Sequence, residues 1–123
     1  MRYLTDRKRA EGLGSAKSGT GHHWHMQISA VGLATLVPLF IFTFGHILGA
    51  PYDEVTAYYA RPFPAIVAGL TLIVGLVHFK NGAQMMIEDY AHGFMRKALI
   101  VGTTCLSWSL IATGLYALIR LAL

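Results

Sequence analysis

A lone histidine inside an apolar run, with an acid and a tyrosine further along, is the part of the sequence best suited to chemistry. In the segment HFKNGAQMMIEDY, His78 comes first, and Asp89 and Tyr90 follow eleven and twelve residues later. An imidazole nitrogen is a common metal ligand, and an ionisable side chain at membrane depth is a candidate for function. The sequence therefore predicts a binding site around His78.

The glycines around His78 allow two interpretations. Gly75 and Gly82 lie three residues before and four residues after His78, so a helix places all three on one face. In the first interpretation, a flat macrocycle lies against the bare backbone and His78 ligates its iron. In the second, the glycines are small-residue contacts between helices, and His78 merely hydrogen-bonds to a neighbouring helix. The spacing alone leaves both open.

His46 is the other histidine in an apolar run, and a membrane haem that transfers electrons needs two axial ligands, often both histidine. His46 lies near the outer end of its predicted helix and His78 nearer the cytoplasm, which gives a depth offset of roughly 15 Å on the helical rise. One chain therefore cannot supply both ligands. A bound haem would take its second ligand from another subunit.

The acid and tyrosine that follow His78 also have two interpretations. A phenol and a carboxylate at a helix end can hydrogen-bond to a quinone headgroup and supply protons to it. Alternatively, Asp89 belongs to an ordinary polar helix terminus, and Tyr90 is a belt residue at the headgroup level. The segment HHWH at 22–25 is not predicted to bind a metal, because its histidines are poorly placed on one helical face.

The elements that carry these residues are predicted to be membrane-spanning helices. Of the 123 residues, 54% are hydrophobic and only 13% are charged, whereas soluble domains have about 25% charged residues. Three apolar stretches, about 26–48, 63–88 and 97–121, approach the ~20 residues that a helix needs to cross the hydrocarbon core. The predicted fold is all-α transmembrane, with a polar basic arm at 1–21 and a three-helix anchor domain at 22–123. A kink is expected at Pro38.

Basic residues are concentrated on one side of the predicted membrane. Those before the first helix and after the second are Arg2, Arg7, Lys8, Arg9, Lys17, Arg96 and Lys97. The connection after the first helix instead carries Asp53, Glu54 and Arg61. By the positive-inside rule, the N-terminus lies in the cytoplasm and the C-terminus outside. The net charge of +4 is thus a topology signal, and no nucleic-acid partner is predicted.

Two segments resemble the succinate dehydrogenase membrane anchor family, the small cytochrome b556 anchor proteins of complex II. The first is HFKNGAQMMIEDY, in which a glycine follows the histidine by four residues and Asp-Tyr follows by eleven and twelve. The second is HHWHMQISAVGLATLVPLF, in which an aromatic cluster precedes a Ser-Ala pair. The layout of three helices with a cytoplasmic N-terminus also matches that family.

The resemblance implies roles for three residues. His78 matches an axial ligand of haem b, and would bind the haem iron together with a ligand from the larger cytochrome b556 protein of the complex. Tyr90 matches a tyrosine that hydrogen-bonds ubiquinone close to the iron-sulfur subunit, and Asp89 matches an acid of the same pocket. Many family members have an arginine near the haem propionates where Gln27 stands. Here those charges would be compensated by His25, by the partner subunit, or not at all.

The implied function is that of a membrane anchor in a heteromeric helix bundle, which docks the flavoprotein and iron-sulfur subunits and contacts membrane lipid. The chain alone would catalyse nothing. It would help to pass electrons from succinate, a tricarboxylic acid cycle substrate, to ubiquinone. A bacterial inner membrane is expected rather than the mitochondrial one. The alternatives are a fumarate reductase anchor and a non-redox structural membrane protein, and the residues set neither the direction of the reaction nor the type of quinone.

Overall fold

The computed structural model describes residues 3–12 and 19–123, and all regular structure in these ranges is helical. The helices in chain order are α1 (Asp6–Glu11), α2 (Gly21–Ile47), α3 (Tyr52–Tyr59), α4 (Pro62–Tyr90) and α5 (Gly93–Ala122). The helices α2, α4 and α5 have 27, 29 and 30 residues and are long and apolar enough to cross a membrane. The prediction of an all-α fold with three spanning helices is confirmed.

Each spanning helix extends beyond its predicted bounds. α2 begins at Gly21 rather than at 26, so the HHWH segment forms its first turn, and α5 begins at Gly93 rather than at 97. Hydropathy marks only the hydrocarbon core, whereas the backbone hydrogen bonds of a helix continue into the polar membrane surface. Pro62 opens α4, where its missing N–H has no helical partner to lose. α2 stays helical through Pro38.

The basic arm predicted at 1–21 contains the short helix α1. Its first turn is capped by Thr5, whose Oγ1 accepts a hydrogen bond from the backbone N–H of Lys8 at 3.3 Å. This is the usual N-cap arrangement, in which a side-chain oxygen satisfies a free backbone donor. Residues 1–2 and 13–18 of the arm lie outside the described residues.

α4 is the central helix of the bundle. It packs against both α2 and α5, whereas the backbones of α2 and α5 do not approach each other closely within the described chain. Neighbouring helices run antiparallel: Met26 of α2 lies over Gly82 of α4, and Gly32 lies beside Val74. On the other side of α4, Leu72 packs directly onto Gly114 of α5. The three spanning helices thus form a layer, in which glycines allow close approach of the backbones.

The connection between α2 and α4 closes the end of this layer that lies away from Tyr90. Tyr59 of α3 is buried there against Ile47 and Ala68, and its burial raises the pKa of the phenol. An apolar cavity of about 540 Å³ lies beside this cluster, with Phe40 of α2 among its lining residues. The far end of the layer is therefore closed by apolar packing rather than by charged groups.

Most large apolar side chains of the layer are exposed. Among the described residues, the buried hydrophobic side chains are Ile47, Tyr59, Val67, Ala68, Ile87 and Ile111. Exposed apolar side chains are expected where a helix meets lipid or a partner subunit, because apolar groups rather than water then cover them. The two faces of the layer are thus available for contacts with lipid and protein.

Candidate functional site

His78 lies half-buried in the second half of α4, on the side that faces α2. Its Nδ1 is 2.8 Å from the Oγ of Ser29, which is buried on α2. The Ser29 hydroxyl also donates a hydrogen bond to the backbone carbonyl oxygen of Met26, at 2.9 Å. One edge of the imidazole is therefore held by the chain, whereas its Nε2 makes no hydrogen bond to any described residue.

An open depression lies beside the His78 ring, with a volume of about 200 Å³. Met26 and Ala30 form its apolar part, and His23 and Gln27 form its polar part. The two polar side chains are one turn apart on α2, with Gln27 Nε2 and His23 Nε2 at 3.5 Å. The depression therefore combines a ring nitrogen without a partner among the described residues, an apolar wall and two polar side chains.

A second depression continues along α2, with a volume of about 370 Å³. Its lining includes Trp24, Ile28 and Val31, and it shares His23 and Gln27 with the first depression. The two together form a groove that runs from His78 across α2. His25 was one of the groups expected to compensate the propionate charges, and the histidine that lies beside Gln27 on α2 is His23, because residues four apart share a helix face.

The glycines on the His78 face are covered by side chains of α2. A Cβ atom on Gly75 would lie 3.9 Å from Leu33 Cδ2, and one on Gly82 would lie 3.7 Å from Met26 Cε. The interpretation of these glycines as helix-packing contacts is therefore confirmed. A macrocycle lying on their backbone would have to share that face with the side chains of α2. Any ligand of His78 must approach from the groove instead.

His46 is remote from His78. It is exposed near the end of α2, with its ring 5.8 Å from that of Tyr58. Ser29 marks the level of His78 on α2, and His46 follows Ser29 by seventeen residues, which is about 25 Å of helix. The predicted depth offset is confirmed and is larger than expected, because His78 pairs with the first third of α2.

Tyr90 and Asp89 lie at the end of α4, outside the groove. Tyr90 is the last helical residue and is 83% exposed, and Asp89 is exposed beside it. Their neighbour Glu88 accepts a hydrogen bond from Gln84 at 2.9 Å and lies 3.9 Å from the guanidinium of Arg96. Glu88 is thus held by the chain, whereas the Tyr90 hydroxyl makes no hydrogen bond to a described residue and is free to bind a molecule from outside.

The structure does not bring His78 and Tyr90 together. Twelve residues of one helix separate them, which corresponds to about 18 Å along the axis and about a third of a turn around it. They belong to two separate regions, one in the membrane interior and one at its surface. An electron can pass between two such regions, but one bound ligand cannot contact both residues.

The described residues contain no group of three or more histidine, cysteine or acidic side chains that could hold a metal ion. His22, His23 and His25 occupy the first turn of α2 without such a cluster. A metal bound by side chains of this chain alone therefore has no site in 3–12 or 19–123. A single histidine with a free ring nitrogen suits a metal that brings its other ligands with it.

The two residues that sequence reasoning missed are Ser29 and His23. Ser29 was part of the Ser-Ala pair in the first predicted helix, but the side chain that it would meet depends on the register between α2 and α4. His23 is one of three histidines in HHWH, and the sequence alone does not single it out. The available signal was the four-residue spacing from His23 to Gln27, which predicts one shared face once the helix is known to begin at Gly21.

A family model described as the succinate dehydrogenase/fumarate reductase transmembrane subunit matches residues 1–119. The chain belongs to this family. The succinate dehydrogenase hydrophobic membrane anchor subunit of Paracoccus denitrificans is 49% identical over 123 residues, which cover 100% of this chain and 95% of that protein. The succinate dehydrogenase membrane anchor subunit of Reclinomonas americana is 30% identical over 80 residues, 63% of this chain and 67% of that protein. No solved structure matches the chain.

Membership in the transmembrane subunit family confirms the resemblance on which the functional expectations depend. It also agrees with the three apolar spanning helices. The alternative of a non-redox structural membrane protein is set aside, because the match covers nearly the whole chain rather than its apolar segments alone.

Proposed function

We propose that the chain is the membrane anchor subunit of a bacterial succinate:ubiquinone oxidoreductase, which holds one side of a haem b and contributes to a quinone-reduction site. The observation that carries the proposal is the hydrogen bonding of the two ring nitrogens of His78. Its ring is fixed through Nδ1 by Ser29, and it borders an open depression in which its Nε2 has no partner among the described residues. An imidazole that is held by one nitrogen and open at the other is a preorganised metal ligand.

The groove beside His78 fits the chemistry of a haem. A porphyrin has an apolar ring, which suits the wall of Met26 and Ala30, and two carboxylates, which suit the polar pair of His23 and Gln27. His78 would ligate the iron. The haem, when bound, supplies a one-electron redox centre whose potential depends on its axial ligands and their hydrogen bonds.

The groove is open on the side away from the layer, so this chain provides only one wall of the haem site. The second axial ligand and the opposite wall would come from a second membrane protein, the larger cytochrome b556 protein of the complex. That partner would cover exposed apolar side chains on α2, among them Ile28 and Val31. Gln27 has a neutral amide, whereas an arginine at this position would have a charged guanidinium that can donate two parallel hydrogen bonds. The partner would therefore carry most of the compensation for the propionate charges.

The end of α4 fits a quinone site at the membrane surface. Tyr90 offers a free phenol at a position that both a lipid-soluble quinone and aqueous protons can reach. Asp89 lies beside it and can relay a proton to the reduced quinone. Electrons would arrive from the iron-sulfur subunit, which would dock on this surface together with the flavoprotein. The positive-inside distribution of basic residues supports a cytoplasmic location for this surface.

The named relatives support one direction of the reaction. The family includes subunits of both succinate dehydrogenase and fumarate reductase, but both named relatives are succinate dehydrogenase subunits. Succinate oxidation with ubiquinone as acceptor is therefore the proposed direction, and the bacterial inner membrane the proposed location.

The test is His78→Leu in the assembled complex, with His46→Leu as a matched control on an exposed histidine about 25 Å away along the bundle. The complex is purified through the flavoprotein subunit, so that co-purification reports assembly separately from haem. His78→Leu should lose or shift the reduced-minus-oxidised b-type spectrum, whereas His46→Leu should keep it. An unchanged spectrum and midpoint potential in His78→Leu would exclude His78 as the ligand and remove the support for this function.

A further inference from the structure

We propose that Ser29 is a positioning residue for His78, and that it fixes the tautomer in which Nδ1 carries the proton and Nε2 is free to ligate iron. This inference deepens the proposed function and rests on it. It concerns the hydrogen bond between α2 and α4, which no part of the sequence resemblance includes.

The assignment follows from counting protons in a chain of three groups. A serine hydroxyl has one proton, and a backbone carbonyl oxygen can only accept. When Ser29 Oγ donates to Met26 O at 2.9 Å, its proton is used, so the 2.8 Å contact to His78 must have Nδ1–H as donor. The chain then runs from Nδ1–H to Oγ–H to the carbonyl oxygen, and every proton in it has an acceptor.

The opposite tautomer leaves a donor without a partner. If Ser29 donated to a bare Nδ1, the ring would carry its proton on Nε2, beside the depression formed with Met26 and Ala30. No described residue accepts a hydrogen bond from Nε2, and a polar hydrogen that has lost water without gaining an acceptor is costly. The tautomer with Nδ1–H avoids this cost and leaves a lone pair on Nε2 where a metal ligand is needed.

The position of Ser29 suits a role in holding another side chain. Ser29 is the only buried polar residue of α2, with 9% of its surface exposed. Its bond to the carbonyl oxygen three residues earlier restricts the rotation of the hydroxyl. The acceptor therefore has a fixed place relative to α4, and the plane of the imidazole ring is fixed with it.

The hydrogen bond should also set the electronic character of the ligand. A metal-bound histidine that donates its second N–H to an acceptor is more basic, and outer partners of this kind typically change metal affinity by 10- to 100-fold when they are removed. A more basic ligand favours ferric over ferrous iron. Removal of the Ser29 hydroxyl should therefore raise the midpoint potential, by about 59 mV for each tenfold change in that preference in a one-electron couple.

The experiment compares two pairs of variants in the complete complex. Ser29→Thr and Ser29→Val have nearly the same shape and differ in the hydroxyl. Ser29→Ala is paired with Ser107→Ala, which removes another buried serine hydroxyl that bonds to a carbonyl of its own helix but does not contact His78. The readouts are the midpoint potential of the haem and the electron paramagnetic resonance spectrum of its ferric form, which reports the orientation of the axial imidazoles.

We expect Ser29→Ala and Ser29→Val to raise the potential and change the resonance spectrum, or to lose haem from an assembled complex, while Ser29→Thr and Ser107→Ala stay near wild type. If Ser29→Ala matches Ser107→Ala while His78→Leu loses haem, this inference fails and the proposed function stands. If His78→Leu retains the spectrum, the proposed function fails. If only Ser29→Thr assembles, the hydroxyl is needed for folding, and the assignment of Ser29 as a positioning residue is overturned.

Discussion

Removal of the Tyr90 hydroxyl should slow quinone reduction without any effect on folding. Tyr90 is 83% exposed, and its hydroxyl makes no hydrogen bond to a described residue, so Tyr90→Phe removes no contact that stabilises the chain. A lost hydrogen bond from a neutral donor is worth about 0.5–1.5 kcal/mol. If that bond acts in the rate-limiting step, the rate of quinone reduction should fall roughly 2- to 13-fold. A bond that strengthens as charge develops on the quinone would give the larger value.

The assay measures succinate oxidation twice on the same membranes, once with a ubiquinone analogue and once with an artificial acceptor that takes electrons from the soluble subunits. Tyr90→Phe should lower only the first activity. Tyr116→Phe is the matched control, because Tyr116 is also exposed, at 64%, but lies far along α5. Unchanged quinone turnover and unchanged binding of a quinone-site inhibitor would refute the reasoning, and an equal fall in both activities would point to assembly.

Two further predictions concern the membrane and the packing of the layer. A reporter that works only outside the cytoplasm should be active when fused after Leu123, and one that works only in the cytoplasm should be inactive there, because basic residues are concentrated on the opposite side. The reverse pattern would overturn the topology. Gly114→Ala should lower the stability of the complex by about 1 kcal/mol, because the new methyl group would overlap Leu72. Overpacking costs about 1–3 kcal/mol, and the higher helix propensity of alanine recovers about 0.5–1 kcal/mol of this. Gly102→Ala, which meets nothing within 4 Å, is the control, and equal stability of the two variants would contradict the packing argument.

The number and order of the spanning helices could be predicted because each property is local. A run of about 20 apolar residues is enough to mark a helix that crosses the hydrocarbon core. The bounds were less accurate, since polar residues such as those around Gly21 and Gly93 continue the helix past the apolar run. The short helix α3 (Tyr52–Tyr59) could not be placed from hydropathy, because its few residues pack against neighbours that hydropathy does not identify.

The site could be predicted only in part, because its geometry depends on which helices are neighbours. His78 stood out by its type and surroundings, and the family resemblance then gave it a role. The function of Gly75 and Gly82 depended on what lies opposite them, and the side chains of Leu33 and Met26 are there. The contact between Ser29 and His78 joins residues 49 positions apart, and no spacing rule within one helix reports such a pair.

The central position of α4 has a consequence for the order in which the site is built during synthesis. The backbones of α2 and α5 do not approach each other closely within the described chain, so the two helices that hold Ser29 and His78 meet without α5 between them. Chains emerge from the ribosome N-terminus first, and both of these helices precede α5 in the chain. We expect Ser29 to orient the imidazole of His78 in a two-helix intermediate, before α5 packs on the other side of α4.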